Sequence, residues 1–232
     1  MALLLSFDTA TSHLSVVLSE DARPLVWRED STEKLSHAER LNVFIAEVME
    51  EAGSGLKDLD AVAVGTGPGS YTGLRIGLSA AKGLCFALDK PLIGMGTLEV
   101  LLAQFLEEQE EQSPGAVLMP MVDARRMEVY TRTYGTDEKP LDATAPLILD
   151  AAWCDARART GRTYVFGDGA DKATALWQAY PAINYVPHVR PGIKGLARCA
   201  DRYYREGRFG DLTYLVPEYG KPANVAQKRG AE

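Results

Sequence analysis

At 232 residues, 46% of them apolar, the chain is long enough for one large domain or two small ones, each with its own core. A net charge of −7 excludes a surface that is a nucleic-acid platform throughout, because phosphates are repelled unless basic residues cluster locally. Three scattered cysteines (Cys85, Cys154, Cys199) form no C-x-x-C pair, no apolar run reaches the roughly 18 residues of a membrane span, and the start MALLLSFDTA turns polar too soon for a signal peptide, so a reducing, cytoplasmic, membrane-free setting is expected.

In chain order, LLLSF (3–7) reads as a buried strand, and LSVVLSE (14–20) and PLVWRED (24–30) extend it into an antiparallel meander. In SHAERLNVFIAEVMEEAG (36–53), Leu41, Phe44, Ile45, Val48, Met49 and Ala52 share one helical face, with Ser36 as N-cap and Gly53 as terminator. LDAVAVG (59–65) is an apolar strand, TGLRIGLSAAKGLCFAL (72–88) a helix, PLIGMG (91–96) a strand and TLEVLLAQFLEEQEEQ (97–112) a helix. Strands and helices alternating through short connections require parallel pairing.

A boundary is expected at EEQEEQSPG (107–115). Beyond it, AVLMPMVDARRMEVYTRTYG repeats the opening arrangement: an apolar strand, an aspartate where it stops (Asp8 first, then Asp123), and a second strand turning back. The second half continues with a strand in TYVFGDGA (163–170), a helix at 171–180, a strand near NYVPHV (184–189) and a last helix near 192–206. Two lobes, 1–106 and 107–217, and a loose polar tail, 218–232, are therefore expected.

GTGPGSYTGLRIG (65–77) holds five glycines but matches no common phosphate or nucleophile motif. No Gly-Lys pair with a following hydroxyl makes it a P-loop. The sixth positions of G-x-G-x-x-G read Ser70 and Thr72, and G-x-S-x-G fails at Pro68 and Thr72. Two readings stay open: anion binding by its amides, or a structural turn. Helix 72–88 carries only Arg75 and Lys82 as charges, and Gly73, Gly77, Ala80, Ala81 and Gly83 let a neighbour come close. That neighbour is either its own lobe or a protein partner.

Asp8, Thr9, Thr11 and Ser12 form a polar hairpin, which reads either as a phosphate cradle or as a turn closed by its own hydrogen bonds. His13, His37 and His188 lack metal-ligand spacing, so neither a metal site nor a catalytic residue is expected. Lys194, Arg198, Arg202 and Arg205 share one face of the last helix, a solvated face or a contact for RNA or an acidic partner.

LLLSFDTATSHLSVVL, SHAERL, LDAVAVGTGPGSYTGLRIGLSAAKGLCFALDKPLIGMGTLEVL and VDARRMEVY resemble the TsaB family of bacterial tRNA threonylcarbamoyladenosine biosynthesis proteins, over residues 1–217. The resemblance implies an α/β, two-lobed fold of the actin/Hsp70/sugar-kinase-like (ribonuclease H-like) type, with a shortened second lobe. It implies support of the paralogue TsaD, which transfers threonylcarbamoyl from threonylcarbamoyl-AMP to the tRNA adenosine beside the anticodon. TsaD carries two metal-ligand histidines four residues apart. In the matching stretch here, GMGTLEVL, those positions read Thr97 and Leu101, and neither binds iron or zinc as imidazole does.

A non-catalytic subunit is thereby implied, with TsaD and the small ATPase TsaE as partners and a homodimer when TsaD is absent. Contact with tRNA is indirect or runs through Lys194, Arg198, Arg202 and Arg205. The implied interface lies on the first-lobe helices, at His37, Arg40, Leu41, Phe44, Gly73, Arg75, Ile76, Gly77, Ser79 and Ala80. Asp8, Thr9, Thr11, Ser12, Asp123, Gly167, Asp168 and Gly169 occupy the positions of a nucleotide cleft, vestigial or binding ATP or ADP weakly. The alternative is an independent kinase or peptidase of the same fold, which needs an intact cleft or metal ligands.

Overall fold

A computed structural model describes residues 1–31, 37–109 and 112–220. Ser36, the end of the charged run at 110–111 and the tail from 221 onward lie outside them. The first half consists of β1 (Leu3–Asp8), β2 (Leu14–Glu20), β3 (Arg23–Asp30), α1 (His37–Glu51), β4 (Ala61–Gly67), α2 (Tyr71–Leu88), β5 (Leu92–Gly96) and α3 (Thr97–Glu108). The second consists of β6 (Val117–Asp123), β7 (Glu128–Thr131), β8 (Tyr134–Gly135), β9 (Ala145–Ile148), α4 (Ala151–Ala158), β10 (Thr163–Phe166), α5 (Asp168–Asp171), α6 (Thr174–Trp177), β11 (Ile183–Val186) and α7 (Ile193–Arg205).

The strands form two sheets of one design. The first runs β3-β2-β1-β4-β5 and the second β9-β7-β6-β10-β11, with β8 added on β6. In each, the central strand pairs antiparallel with its hairpin neighbour and parallel with the strand that follows the first crossover. The duplication read from the two aspartate-terminated strands is therefore a duplication of topology.

Alternation along β1 sends Leu5 and Phe7 toward α1 and α2, and Leu4 toward α3 and α7 on the opposite face. Strand β4 is buried throughout, and apolar except for Thr66, because both its faces are covered. Helix α3 is the shared wall of the two lobes. Val100 and Ala103 pack on the first sheet, while Leu98, Leu101 and Phe105 pack with Leu118, Val122 and Phe166 of the second half. A helix apolar on nearly every side is what such a position requires.

Three features differ from the sequence reading. The stretch expected as one helix at 171–180 is two single turns, α5 and α6, separated at Lys172–Ala173. Strands β8 and β9 and helix α4 were not foreseen, since residues 134–150 show no apolar periodicity and hold Pro140 and Pro146. Finally, α7 follows the second sheet in the chain but packs on the first sheet and on α3. Gly195 permits this: its amide donates to Gln104 Oε1 (2.8 Å), and a Cβ there would strike the Val100 carbonyl of α3.

Candidate functional site

The β1–β2 hairpin is held by the chain itself. Asp8 is fully buried; its Oδ1 accepts from the Ala10 amide (2.7 Å) and its Oδ2 from the Thr97 hydroxyl (3.3 Å). Burial pushes the Asp8 carboxyl up to about 6, against the lowering effect of those two bonds. The Thr9 hydroxyl donates to the Gly73 carbonyl (2.8 Å), and Thr11 Oγ1 accepts from the His13 amide (3.2 Å). His37 Nε2 donates to the Thr11 carbonyl (2.7 Å), leaving Ser12 exposed at the tip.

The glycine-rich loop closes on this hairpin. Ser70 caps α2 by accepting from the Gly73 amide (3.2 Å), and the Ser70 amide donates to the Ala10 carbonyl (2.7 Å). A Cβ at Gly65 would strike the Asp8 carboxylate, at Gly69 the Ala10 carbonyl, at Gly73 the Thr9 carbonyl and at Gly77 the Thr9 hydroxyl. The loop is thus a close-approach device, the structural one of the two readings.

The second hairpin repeats the pattern less tightly. The Asp123 amide donates to Asp168 Oδ1 (3.1 Å), and Lys172 pairs with the Asp123 carboxylate. Burial raises the Asp168 carboxyl to about 6. Side chains at Gly167 and Gly169 would run into the backbone of β6. Of the side chains expected at a nucleotide cleft, the Thr9 hydroxyl is given to Gly73, Asp8 and Asp168 accept from the Ala10 and Asp123 amides, and Asp123 is paired with Lys172. Thr97 is fully buried against Asp8, and Leu101 of α3 packs in the core with Leu118, Val122 and Phe166.

The residues expected at a partner interface divide by orientation. Leu41, Phe44, Gly73 and Gly77 point into the first lobe, because α1 and α2 must bury one face on their own sheet. His37, Arg40 and Ile76 are half-buried, with Arg40 paired to Asp30 (3.2 Å), and Ala80 packs at the core margin. Arg75 and Ser79 are exposed. Sequence reasoning left out Phe86, which is 82% exposed on α2, and Val43, 51% exposed on α1. Gly83 lies on the same outward side of α2, with nothing within 4 Å of an added Cβ. A helical wheel sets Ser79, Gly83 and Phe86 on one stripe, which is the signal that could have found them.

The basic stripe of α7 is not a set of free cations. Arg198 pairs with Glu107 and Glu138, Arg202 with Glu99 and Glu138, and Arg205 with Asp201 and Asp21. Acidic side chains of three other segments meet these heads, which helical spacing alone does not reveal. Lys194 remains exposed. The start of the expected loose tail is pinned instead. The Glu218 amide donates to the Thr66 carbonyl (2.7 Å), the Tyr219 ring lies 4.7 Å from that of Tyr71, and Arg75 Nε donates to the Tyr219 hydroxyl (3.0 Å). Among the described residues no helix is long and apolar enough to cross a membrane.

Comparison with known proteins agrees with this architecture. The family model described as TsaD, tRNA N6-adenosine threonylcarbamoyltransferase, matches residues 32–156. The tRNA threonylcarbamoyladenosine biosynthesis protein TsaB of Escherichia coli (strain K12) is 29% identical over 97% of both chains. A crystal structure from Pseudomonas aeruginosa, described as similar to peptidase YEAZ, superposes with a TM-score of 0.78 at 27% identity, covering 95% of this chain and all of that one. A polyphosphate/ATP-glucomannokinase from Arthrobacter shares the fold alone, with a TM-score of 0.53 at 13% identity over 89% of this chain and all of that one. The two sheets of one design are therefore those of the sugar-kinase and actin-like class. With the family model spanning more than half its length and a TsaB relative matching end to end, the chain belongs to the TsaD family, in its TsaB branch.

Proposed function

We propose that this chain takes part in tRNA threonylcarbamoyladenosine biosynthesis as a non-catalytic scaffold subunit, holding a TsaD-type transferase through the outward faces of α1 and α2. The observation that carries the reading is the stripe Ser79–Gly83–Phe86. It joins a bare backbone position to a phenyl ring 82% exposed, on a helix whose inward glycines are already used by its own hairpin. Exposed apolar surface around small residues suits a close helix–helix dock. Thr97 and Leu101, at the positions of the metal-ligand histidines, are committed to Asp8 and to the core, which supports a chain that leaves the chemistry to its partner.

The same face serves a homodimer when the partner is absent, and TsaE is a further partner of the assembly. The expected result is that Gly83→Trp and Phe86→Asp each cut capture of TsaD about 30-fold or more, the size of a hot-spot loss of about 2 kcal/mol. Quantitative co-purification reads this, with melting temperature as the control for folding. Undiminished capture by both variants removes this face from the reading. On the nucleotide side, isothermal calorimetry with magnesium ATP or ADP is expected to give no saturable heat in the micromolar range; a saturable isotherm would restore the cleft as a ligand site.

A further inference from the structure

The chain carries a net charge of −7, and the α7 arginines are paired with acidic neighbours, so a polyanion would find free cations only elsewhere on the surface. The β6–β7 turn is such a place. Its backbone is closed by the Ala124 amide donating to the Glu128 carbonyl (3.0 Å) and the Glu128 amide to the Arg125 carbonyl (3.2 Å), while Asp123 Oδ1 accepts from the Arg125 amide (2.8 Å).

Arg125 and Arg126 sit there in consecutive left-handed conformations, φ 68° and 51°. Tight hairpins reserve that region for Asn and Gly, because a Cβ crowds the next carbonyl. Strain of this kind persists only where the surroundings impose it, and it concentrates at binding sites. Both arginines are exposed, and no ion pair holds either among the described residues. Of the nearby acids, Asp123 pairs with Lys172, Asp171 with Arg190, and Asp168 accepts from the Asp123 amide. A hydrogen-bonded hairpin thus ends in two adjacent, unmatched guanidinium forks.

We propose that the Arg125–Arg126 turn docks the phosphate backbone of RNA. A guanidinium presents parallel N–H donors that match phosphate oxygens, and the closed turn fixes the backbone from which both side chains reach. The inference rests on the proposed function only in taking that RNA to be tRNA.

The test titrates the full chain into labelled, unmodified tRNA transcript, reading fluorescence anisotropy between about 50 and 200 mM salt. The double variant Arg125→Asn/Arg126→Gly is expected to bind at least about tenfold more weakly at low salt. Its slope of log affinity against log salt should shrink by about 2, one for each lost phosphate contact. The same variant should melt at a higher temperature, since Asn-Gly relieves the turn. Wild-type affinity and slope in the double variant overturn the proposal, and so does a wild-type chain with no measurable tRNA binding. Binding kept by the double variant but lost on truncation after Gly220 also overturns it, by moving the contact to the tail. Capture of TsaD is a separate readout, so loss of the α1–α2 interface and loss of the RNA contact are told apart.

Discussion

Gly73→Ala is expected to destabilise the fold by about 1–3 kcal/mol, the usual cost of forcing extra volume into a packed site. The new methyl has nowhere to go. It would strike the Thr9 carbonyl, a backbone atom that cannot rotate away, and Thr9 is itself tied to Gly73 through its hydroxyl. Helix α2 must then back off from the β1–β2 hairpin, loosening the Ser70–Ala10 bond as well. Thermal unfolding should show a fall of about 3 °C per kcal/mol for a chain of this size.

Gly83→Ala is the internal control. An added Cβ there meets nothing within 4 Å, so the exchange should leave stability unchanged or raise it by up to about 1 kcal/mol through helix propensity. Equal effects at the two sites would refute the assignment of the glycine loop to intramolecular packing.

Asp8→Asn is expected to stabilise the protein at neutral pH by up to about 3 kcal/mol. Burial holds the Asp8 carboxyl at about 6, roughly two units above an unfolded aspartate, and each unit is worth about 1.4 kcal/mol. The sign follows from proton binding. Between about pH 4 and pH 6 the folded chain keeps a proton that the unfolded chain releases, so stability falls as pH rises through that window and is level above it. Asparagine retains the acceptor for the Ala10 amide and offers an amide toward Thr97 without burying a charge. Urea unfolding at pH 4, 5, 6 and 7 should show the wild type losing stability across the window and the variant losing less. A variant less stable than wild type at pH 7 would mean that the ionised carboxylate is stabilised by something other than its two hydrogen bonds.

Much of the fold was legible along the chain. Apolar runs ending at Asp8 and Asp123 marked the two central strands, the 3.6-residue pattern in 36–53 marked the helix at 37–51, and the small, apolar stretch 72–88 marked the helix at 71–88. These signals are local, because each comes from residues whose burial is set by strand or helix period. The region 134–158 was not legible. β8 is only two residues long, and β9 is mostly exposed and holds Pro146, so pairing with β6 and β7 holds them rather than propensity.

By itself the sequence determined the secondary-structure period, the duplicated hairpins and a loop in which side chains are absent at fixed intervals. Only the tertiary structure decided which way those intervals face. Gly73 and Gly77 turn inward to Thr9 while Gly83 turns outward, and Arg198, Arg202 and Arg205 meet carboxylates from as far away as Asp21. The physical reason is that a residue's spacing along a helix fixes its direction relative to its neighbours. What it touches is fixed by where the sheet, the hairpin and the distant chain segments come to rest against that helix.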